Sequence, residues 1–207
     1  FDVSTASYDS NFSVSSQENA PTGLAFNSNG TKMFVIGWAG DDVNEYTLST
    51  GFDVSTASYD SNFSVSSQES TPQGLAFNSN GTKMFVIGSS DDVNKYTLST
   101  GFDVSTASYD SDFKVESQES APKGLAFNSD GTKMFVTGYH GDDVNEYTLS
   151  TGFNLVDDST APTTTFSPAN SATAVAVASD ITLTFNEAVR LINNSALDDS
   201  NVDALIT

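Results

Sequence analysis

Apolar and polar residues follow a pattern that recurs along most of the chain. The phrase "LAFNSNGTKMFVIG" at residues 24–37 returns unchanged at 75–88 and as "LAFNSDGTKMFVTG" at 125–138. In each copy "GLAF" predicts a short strand, and Asn29-Gly30 predicts a type I′ hairpin turn. "TKMFVIG" is apolar on both faces, which predicts a strand sandwiched between layers. "DDVNEYTLS" predicts a third strand, and "FDVSTASYDSNFSVSS" predicts a fourth, outer strand.

Substitutions in the third repeat support an outer strand with one wet face. Three polar positions become charged there, as Asp112, Lys114 and Glu116, while Phe113 and Val115 between them stay apolar. Residues at i, i+2 and i+4 lie on one face of a strand. We therefore expect one face of this strand to meet solvent and the other to be buried.

The repeats begin at Phe1, Phe52 and Phe102 and cover residues 1–51, 52–101 and 102–152. A period near fifty, with four antiparallel strands in each copy, predicts an all-β chain of β-propeller type. The phrase "P-x-G-L-A-F-N-x-x-G-T-K-M-F-V", first seen at residues 21–35, resembles the blades of bacterial surface-layer propellers. That resemblance implies the architecture and does not specify a function.

Three blades are too few for a closed ring, since propellers close with about four to eight blades. Residues 1–16 read as an outer strand without inner strands, and the last inner triplet is followed only by "FNLV". We expect residues 1–16 to pair with a third strand, either that of the third blade or that of another copy. Blades further upstream or assembly into a homo-oligomer would complete the ring, and two copies would supply six blades.

The amino-acid composition changes after residue 153. Residues 154–160 read as a linker, and "APTTTFSPANSATAVAVASDITLTFNEAV" at residues 161–189 resembles the first half of a bacterial Ig-like module. Residues 161–207 are therefore expected to form part of an Ig-like sandwich. Modular adhesins of that kind often carry calcium at domain junctions, so the resemblance makes Asp157 and Asp158 candidate Ca²⁺ ligands. Two carboxylates alone are too few for calcium.

Composition excludes several classes of function. The chain has 207 residues, 27 acidic and 7 basic residues, a net charge of −20 and no cysteine. Nucleic-acid partners need a basic surface, so we expect none. No apolar stretch is long enough to insert into a membrane. His140 is the only histidine, and nucleophile or phosphate-loop motifs are missing, so we expect no catalytic function.

Most differences between repeats fall in two loops that a four-stranded blade places on the same face. "WAG" at residues 38–40 becomes "SS" and then "YHG". Short loops tolerate sequence changes, so these differences need no functional explanation. If the loops instead form a binding face, they offer aromatic and polar groups for a ligand. These candidate ligand-binding residues are Trp38, Tyr139, His140, Thr22, Gln73 and Lys123.

The sequence thus favours a non-catalytic binding or adhesion module, secreted or at the cell surface, with glycan or protein as its ligand. A structural or self-assembling surface component is the main alternative. A glycan-active hydrolase or lyase is the weaker one, because the carboxylates recur with the blade whereas catalytic residues should occur once. Trp38 also has a competing interpretation as a packing residue between blades or copies.

Overall fold

The computed structural model describes residues 2–153, 155, 164–169, 173 and 182–185 of the chain. The chain divides into two compact units, Phe1–Asp157 and Asp158–Thr207. In the second unit, β12 (Thr164–Ser167) and β13 (Thr182–Phe185) form an antiparallel pair. The remainder of the expected Ig-like module lies outside the described residues.

Antiparallel sheets account for the whole of the first unit's regular structure apart from short 3-10 turns, and the described residues contain no α-helix. The first sheet comprises β1 (Pro21–Phe26), β2 (Lys32–Gly37), β3 (Asp42–Leu48) and β4 (Ala57–Ser64). The second comprises β5 (Pro72–Phe77), β6 (Lys83–Gly88), β7 (Asp92–Leu98) and β8 (Ala107–Lys114). The third comprises β9 (Pro122–Phe127), β10 (Lys133–Gly138) and β11 (Val144–Thr148).

The predicted all-β architecture of repeated antiparallel blades is confirmed. Each innermost strand starts two residues earlier than the expected glycine, with a bulge after its first residue, as between Pro21 and Gly23. Each complete outer strand is shortened by a 3-10 turn at its start, Val54–Thr56 before β4 and Val104–Thr106 before β8. Within the single chain, residues 2–16 belong to no sheet, so the expected outer strand does not pair with the third blade of its own chain. Its pairing with another copy stays a prediction.

The hairpin between β1 and β2 is not the predicted type I′ turn. That turn needs positive φ at both central residues, whereas Gly30 has φ 72° and Asn29 is not in the left-handed region. The Gly30 N–H instead donates to the Asn27 carbonyl at 3.0 Å, and the Lys32 N–H donates to Asn27 Oδ1 at 3.0 Å. The asparagine side chains therefore hold a wider turn that ends on a single left-handed glycine.

Phe52 and Phe102, which begin the second and third repeats, and the equivalent Phe153 lie in the left-handed region, with φ 63°, 60° and 58°. Such a conformation is uncommon for a bulky residue. The Phe52 N–H donates to the Gly30 carbonyl at 3.0 Å. A Cβ atom on Gly30 would lie 2.3 Å from the Phe52 ring, so only glycine allows the ring to close over the hairpin.

The hydrophobic core lies in the seams between neighbouring sheets. One face of the first sheet, carrying Phe34, Ile36 and Val43, packs against Leu75 and Met84 of the second sheet. The second sheet presents its equivalent face to the third in the same way. β2 and β6 are buried along most of their length, as the doubly apolar pattern predicted. Both faces of β6 enter a seam, whereas the second face of β2 packs against Phe12 and Val14.

One face of the outer strand is exposed to solvent and the other is buried, as expected. Asp112, Lys114 and Glu116 are exposed, whereas Phe113 is half-buried and Val115 is fully buried. In the part of the chain that the structure describes, no helix has the length and apolarity needed to cross a bilayer.

Candidate ligand-binding loop face

Two loops of each sheet meet at one end of the blade, and we call this end the loop face. In the first sheet they are residues 17–20, before β1, and residues 38–41, between β2 and β3. The strand order of an antiparallel blade predicts this meeting, and hydrogen bonds between the loops confirm it. The two loops are joined by the carboxylate of Glu18, which is only 1% exposed.

Glu18 accepts hydrogen bonds from the backbone N–H groups of Ala20 at 2.6 Å and Gly40 at 3.0 Å. Glu69 does the same in the second sheet, with Thr71 N at 2.8 Å and Ser90 N at 2.9 Å. The Ser90 hydroxyl adds a bond at 2.6 Å to the same carboxylate oxygen. A buried carboxylate thus satisfies main-chain donors that would otherwise be unpaired in both loops.

The third sheet repeats the arrangement at Glu119. Its oxygens accept from the N–H groups of Ala121 at 2.8 Å, His140 at 3.2 Å and Gly141 at 3.1 Å. Desolvation acts to raise the pKa of the Glu119 carboxyl, but these three donors outweigh it and hold the pKa below its usual value. The carboxylate is therefore ionised in the folded protein at neutral pH and fixes the backbone of the loop.

The recurring acidic pairs divide between loop and strand. Asp41 and Asp91 adopt left-handed φ values of 50° and 61° in the loop, whereas Asp42 and Asp92 open the following strands. Burial, and then the nearby Glu18, raises the pKa of Asp41. No group of three or more His, Asp or Glu side chains in the described residues is arranged to hold a metal ion. The candidate calcium ligands Asp157 and Asp158 lie outside those residues.

The candidate aromatic residues stand on this anchored backbone with their side chains in solvent. Trp38 is 55% exposed and Tyr139 is 73% exposed, and they occupy equivalent loop positions in the first and third sheets. The Tyr139 and His140 rings contact each other edge to face at a centroid distance of 5.3 Å. Ser89, exposed at the equivalent position of the second sheet, lies between the two aromatic blades in the chain.

Thr22, Gln73 and Lys123 occupy equivalent positions near the start of the three innermost strands. The Thr22 hydroxyl donates to the Pro72 carbonyl of the neighbouring sheet at 2.8 Å, so this side chain ties two blades together. The Gln73 amide donates to the Thr71 carbonyl at 3.4 Å. Lys123 is exposed. These three residues lie on strands and are distinct from the aromatic loop positions.

Reasoning from the sequence missed the buried glutamates. Their signal was the tripeptide "SQE", which recurs without change at residues 16–18, 67–69 and 117–119 while the residues after it vary. An acidic residue that stays constant beside a variable loop indicates a buried role, whereas solvated carboxylates tolerate replacement. Burial of glutamate is rare unless it is paired, so the composition alone favoured a solvent-facing role.

Comparisons with known proteins give a likeness in three dimensions only. No family model matches the chain, and no curated protein matches it in sequence. The hydrazine synthase of Kuenenia stuttgartiensis is similar with 16% identity and a TM-score of 0.48, over 69% of this chain and 36% of that one.

Two further solved structures are similar over less of this chain. A functionally unknown protein from Desulfotomaculum acetoxidans has 14% identity and a TM-score of 0.48 over 64% of this chain and 40% of its own. A putative 6-phosphogluconolactonase from Bacteroides uniformis has 13% identity and a TM-score of 0.48 over 63% of this chain and 37% of its own. This chain thus spans well under half the length of each of the three.

Proposed function

We propose that this protein is a non-catalytic binding module that presents the loop face to a glycan or protein ligand. The observation that carries this proposal is the pairing of variable, exposed aromatic residues with an invariant buried support. Trp38 and Tyr139 differ between blades, whereas the glutamate beneath each loop does not. A site of this kind combines a rigid backbone with exchangeable side chains.

The chemistry of the exposed groups suits a ring-bearing or amide-rich ligand. Indole and phenol rings supply large apolar faces at low entropic cost, and Tyr139 with His140 adds a hydroxyl and an imidazole beside the ring. The net charge of −20 disfavours polyanionic ligands. Neutral glycans and neutral or basic protein surfaces are therefore the ligand classes that fit.

A location outside the cell, secreted or at the surface, is part of the proposal. It is supported by the resemblance of the repeated phrase to surface-layer propellers and of residues 161–189 to modules of secreted adhesins. The strong acidity also suits a salty medium, where screening shortens the range of repulsion between carboxylates.

A role without catalysis fits the part played by the buried carboxylates. Two of the three, Glu69 and Glu119, each accept at least three hydrogen bonds, which leaves them poorly placed for transferring a proton to a substrate. A glycan-active hydrolase or lyase remains the weaker alternative, and incubation of the purified chain with polysaccharides tests it directly. Release of new reducing or unsaturated ends would favour that alternative.

The test of binding uses three matched loop variants on an array of neutral glycans and on candidate protein ligands. Trp38→Ala and Tyr139→Ala should each weaken binding at least tenfold, since truncating an aromatic anchor commonly costs about 2 kcal/mol. Ser89→Ala is the control at the equivalent position and should leave affinity within about twofold, since neutral contacts around a hot spot contribute little.

Melting of the same variants distinguishes binding from packing. All three side chains are exposed, and the Ser89 hydroxyl makes only a long bond of 3.4 Å to Glu69, so we expect nearly unchanged melting temperatures. Reduced melting of Trp38→Ala with unchanged affinity would assign Trp38 to a contact between blades or copies. Equal affinity of all three variants and the parent chain would refute the aromatic loop face as the binding site.

A further inference from the structure

The start and the end of the repeat region have the sequences of two strands, β4 and β3, that pair with each other in the first sheet. Residues 6–13 read "ASYDSNFS", identical to β4, and residues 144–149 read "VNEYTL", identical to residues 43–48 of β3. In the first sheet these sequences pair in the register Val43↔Phe63, Asn44↔Asn62 and Tyr46↔Tyr59. Among the described residues, β11 pairs only with β10, and residues 6–13 pair with no strand.

The two outermost sheets also leave exposed some apolar residues of the faces that form seams elsewhere. Leu24 on β1 is 60% exposed, whereas its equivalent Leu75 in the second sheet is 8% exposed. Val144 on β11 is 68% exposed, whereas its equivalents Val43 and Val93 are fully buried. The Leu24 face of the first sheet therefore corresponds to the side of a blade that packs on the preceding blade. The Val144 face of the third sheet corresponds to the side that packs on the following blade.

Residues 2–16 already occupy the place of an outer strand from a preceding blade. Phe12 packs edge to face on Tyr46 at 5.5 Å, as Phe63 of β4 packs on Tyr96 in the next sheet at 5.5 Å. Phe12 and Val14 cover the cluster of Met33, Val35, Tyr46 and Leu48 on this side of the first sheet. Beside them an apolar groove of about 440 Å³ is lined by residues that include Pro21, Leu24 and Val54.

A second groove lies where a third strand would run. It has about 700 Å³ and is bordered by residues 7–10 on one side and residues 52–55 on the other. In the seam between the first and second sheets, β3 and β4 both contact the equivalent turn, Val104–Thr106. There the buried carboxylate of Glu45 accepts the Val104 N–H at 2.8 Å. Glu146 of β11, the equivalent of Glu45, is about half-exposed.

We propose that two copies of the chain close head to tail into a six-bladed ring by exchanging residues 6–13. This segment of each copy forms the fourth strand on β11 of the other, in the register Val144↔Phe12, Asn145↔Asn11 and Tyr147↔Tyr8. The Leu24 face of one copy packs on the Val144 face of the other. Glu146 accepts the backbone N–H of Val54 across the seam, as Glu45 accepts that of Val104.

A second copy fits this position better than the same chain does. Within one chain the second sheet separates the first from the third, and two copies of the three blades described supply six, a number within the range that closes a propeller. A head-to-tail contact forms a closed ring when its rotation closes and a filament when it does not. Because the new seam repeats the geometry of the two existing seams, its rotation is the one already present in the blade array.

The first test is the mass of the full chain in solution, measured by light scattering at micromolar concentration and moderate salt. The expected mass is about 44 kDa, twice the 21.8 kDa of one chain. A mass of one chain across the concentration range would overturn the proposal. A series of larger, open-ended assemblies would overturn the closed ring.

Substitution on the Val144 face tests the seam itself. Val144→Arg should weaken the dimer at least a hundredfold, and Glu146→Lys should weaken it at least tenfold. Val144 is exposed in the single chain, and Glu146 holds there only a surface ion pair with Lys133, so the melting of a diluted, monomeric sample should change little. Ser79→Arg, at the exposed tip of the turn between β5 and β6, adds the same charge away from both seams and should leave the dimer intact. A dimer that tolerates both seam variants would refute this interface.

Engineered disulfides test the register, since the chain has no cysteine of its own. Asn11→Cys with Asn145→Cys should give a dimer of twice the chain mass on a non-reducing gel. Asn11→Cys with Glu146→Cys is shifted by one residue, which turns the side chain to the opposite face, and should cross-link poorly. Asn44→Cys with Asn62→Cys is the intrachain reference, because these residues are already paired.

The outcome of the cross-linking is decisive in either direction. An Asn11–Asn145 disulfide at the mass of one chain would mean that the chain closes on itself, which contradicts exchange between copies. Efficient cross-linking in the intrachain reference with none between residues 11 and 145 would likewise overturn the proposal.

Discussion

The buried Glu69 carboxylate and the loop donors that it accepts from form what we call the socket of the second sheet. Replacing Glu69 by glutamine removes one hydrogen-bond acceptor from this socket and leaves the shape of the side chain almost unchanged. In the native protein one carboxylate oxygen accepts from Thr71 N at 2.8 Å, and the other accepts from Ser90 N at 2.9 Å and Ser90 Oγ at 2.6 Å. The amide of glutamine keeps one oxygen and turns an NH2 group toward the remaining donors. On one side of the socket the NH2 group then faces the hydrogen-bond donors of the loop, and the bonds that the carboxylate oxygen accepted there are lost.

The expected loss follows from the number and type of bonds. Hydrogen bonds to a charged group contribute about 1.5 to 3 kcal/mol each, and an unsatisfied buried donor costs a similar amount. Glu69→Gln should therefore lower the free energy of unfolding by about 2 to 4 kcal/mol. That is a large part of the roughly 5 to 15 kcal/mol available to a typical domain.

Urea unfolding of the parent chain and the variant measures this difference, with Glu116→Gln as the control. Glu116 is exposed in the third repeat, so its replacement removes the same charge without touching a socket. The control should leave the unfolding midpoint nearly constant or raise it slightly, because it lowers the net negative charge. Equal midpoints for Glu69→Gln and the control would show that the carboxylate does not hold the loop, and the account of the loop face would fail.

Three further predictions concern other parts of the chain. Gly81→Ala places a Cβ atom 2.3 Å from the Phe102 ring, at a residue whose φ is 72°. It should therefore lower the free energy of unfolding by about 2 to 4 kcal/mol. Ser79→Ala in the same turn should not, and similar urea midpoints for the two variants would contradict this prediction. Glu119 has a lowered pKa in the folded state, so its contribution is complete above the unfolded value near 4.5 and is lost as pH falls through the lower folded pKa. The difference in unfolding free energy between the parent and Glu119→Gln should therefore shrink on acidification, and a constant difference down to acid pH would rule out this linkage. With a net charge of −20, the melting temperature should rise from about 0.01 M to about 1 M sodium chloride as the Debye length falls from about 30 Å to about 3 Å; an effect of millimolar calcium without any effect of sodium chloride would instead indicate specific cation sites.

The near-identity of the repeats explains why the strands could be predicted. A strand is defined by alternation along a few residues, and the changes at Asp112, Lys114 and Glu116 showed directly which face was wet. Seams were harder to foresee, because both faces of β2 are apolar and the sequence does not say which neighbour each face meets.

The turn and the socket depend on contacts that local patterns do not contain. The Asn29-Gly30 dipeptide favours a type I′ turn, but the Asn27 side chain competes for the Lys32 N–H and produces a wider turn. Glu18 is buried because it accepts from a main-chain donor in a loop 22 residues further along the chain. A carboxylate read in isolation belongs in solvent, so its burial could only be established once both loops were placed together.

The seams have a consequence for how this array can change over generations. The two seams are built from largely equivalent residues, and each sheet packs mainly on its neighbours, so a gain or loss of one repeat leaves a closely matching surface behind. Recombination between the nearly identical coding segments can therefore alter the number of blades in whole steps without the invention of a new interface. The number of blades, rather than the sequence of any one blade, is then the property that such recombination changes.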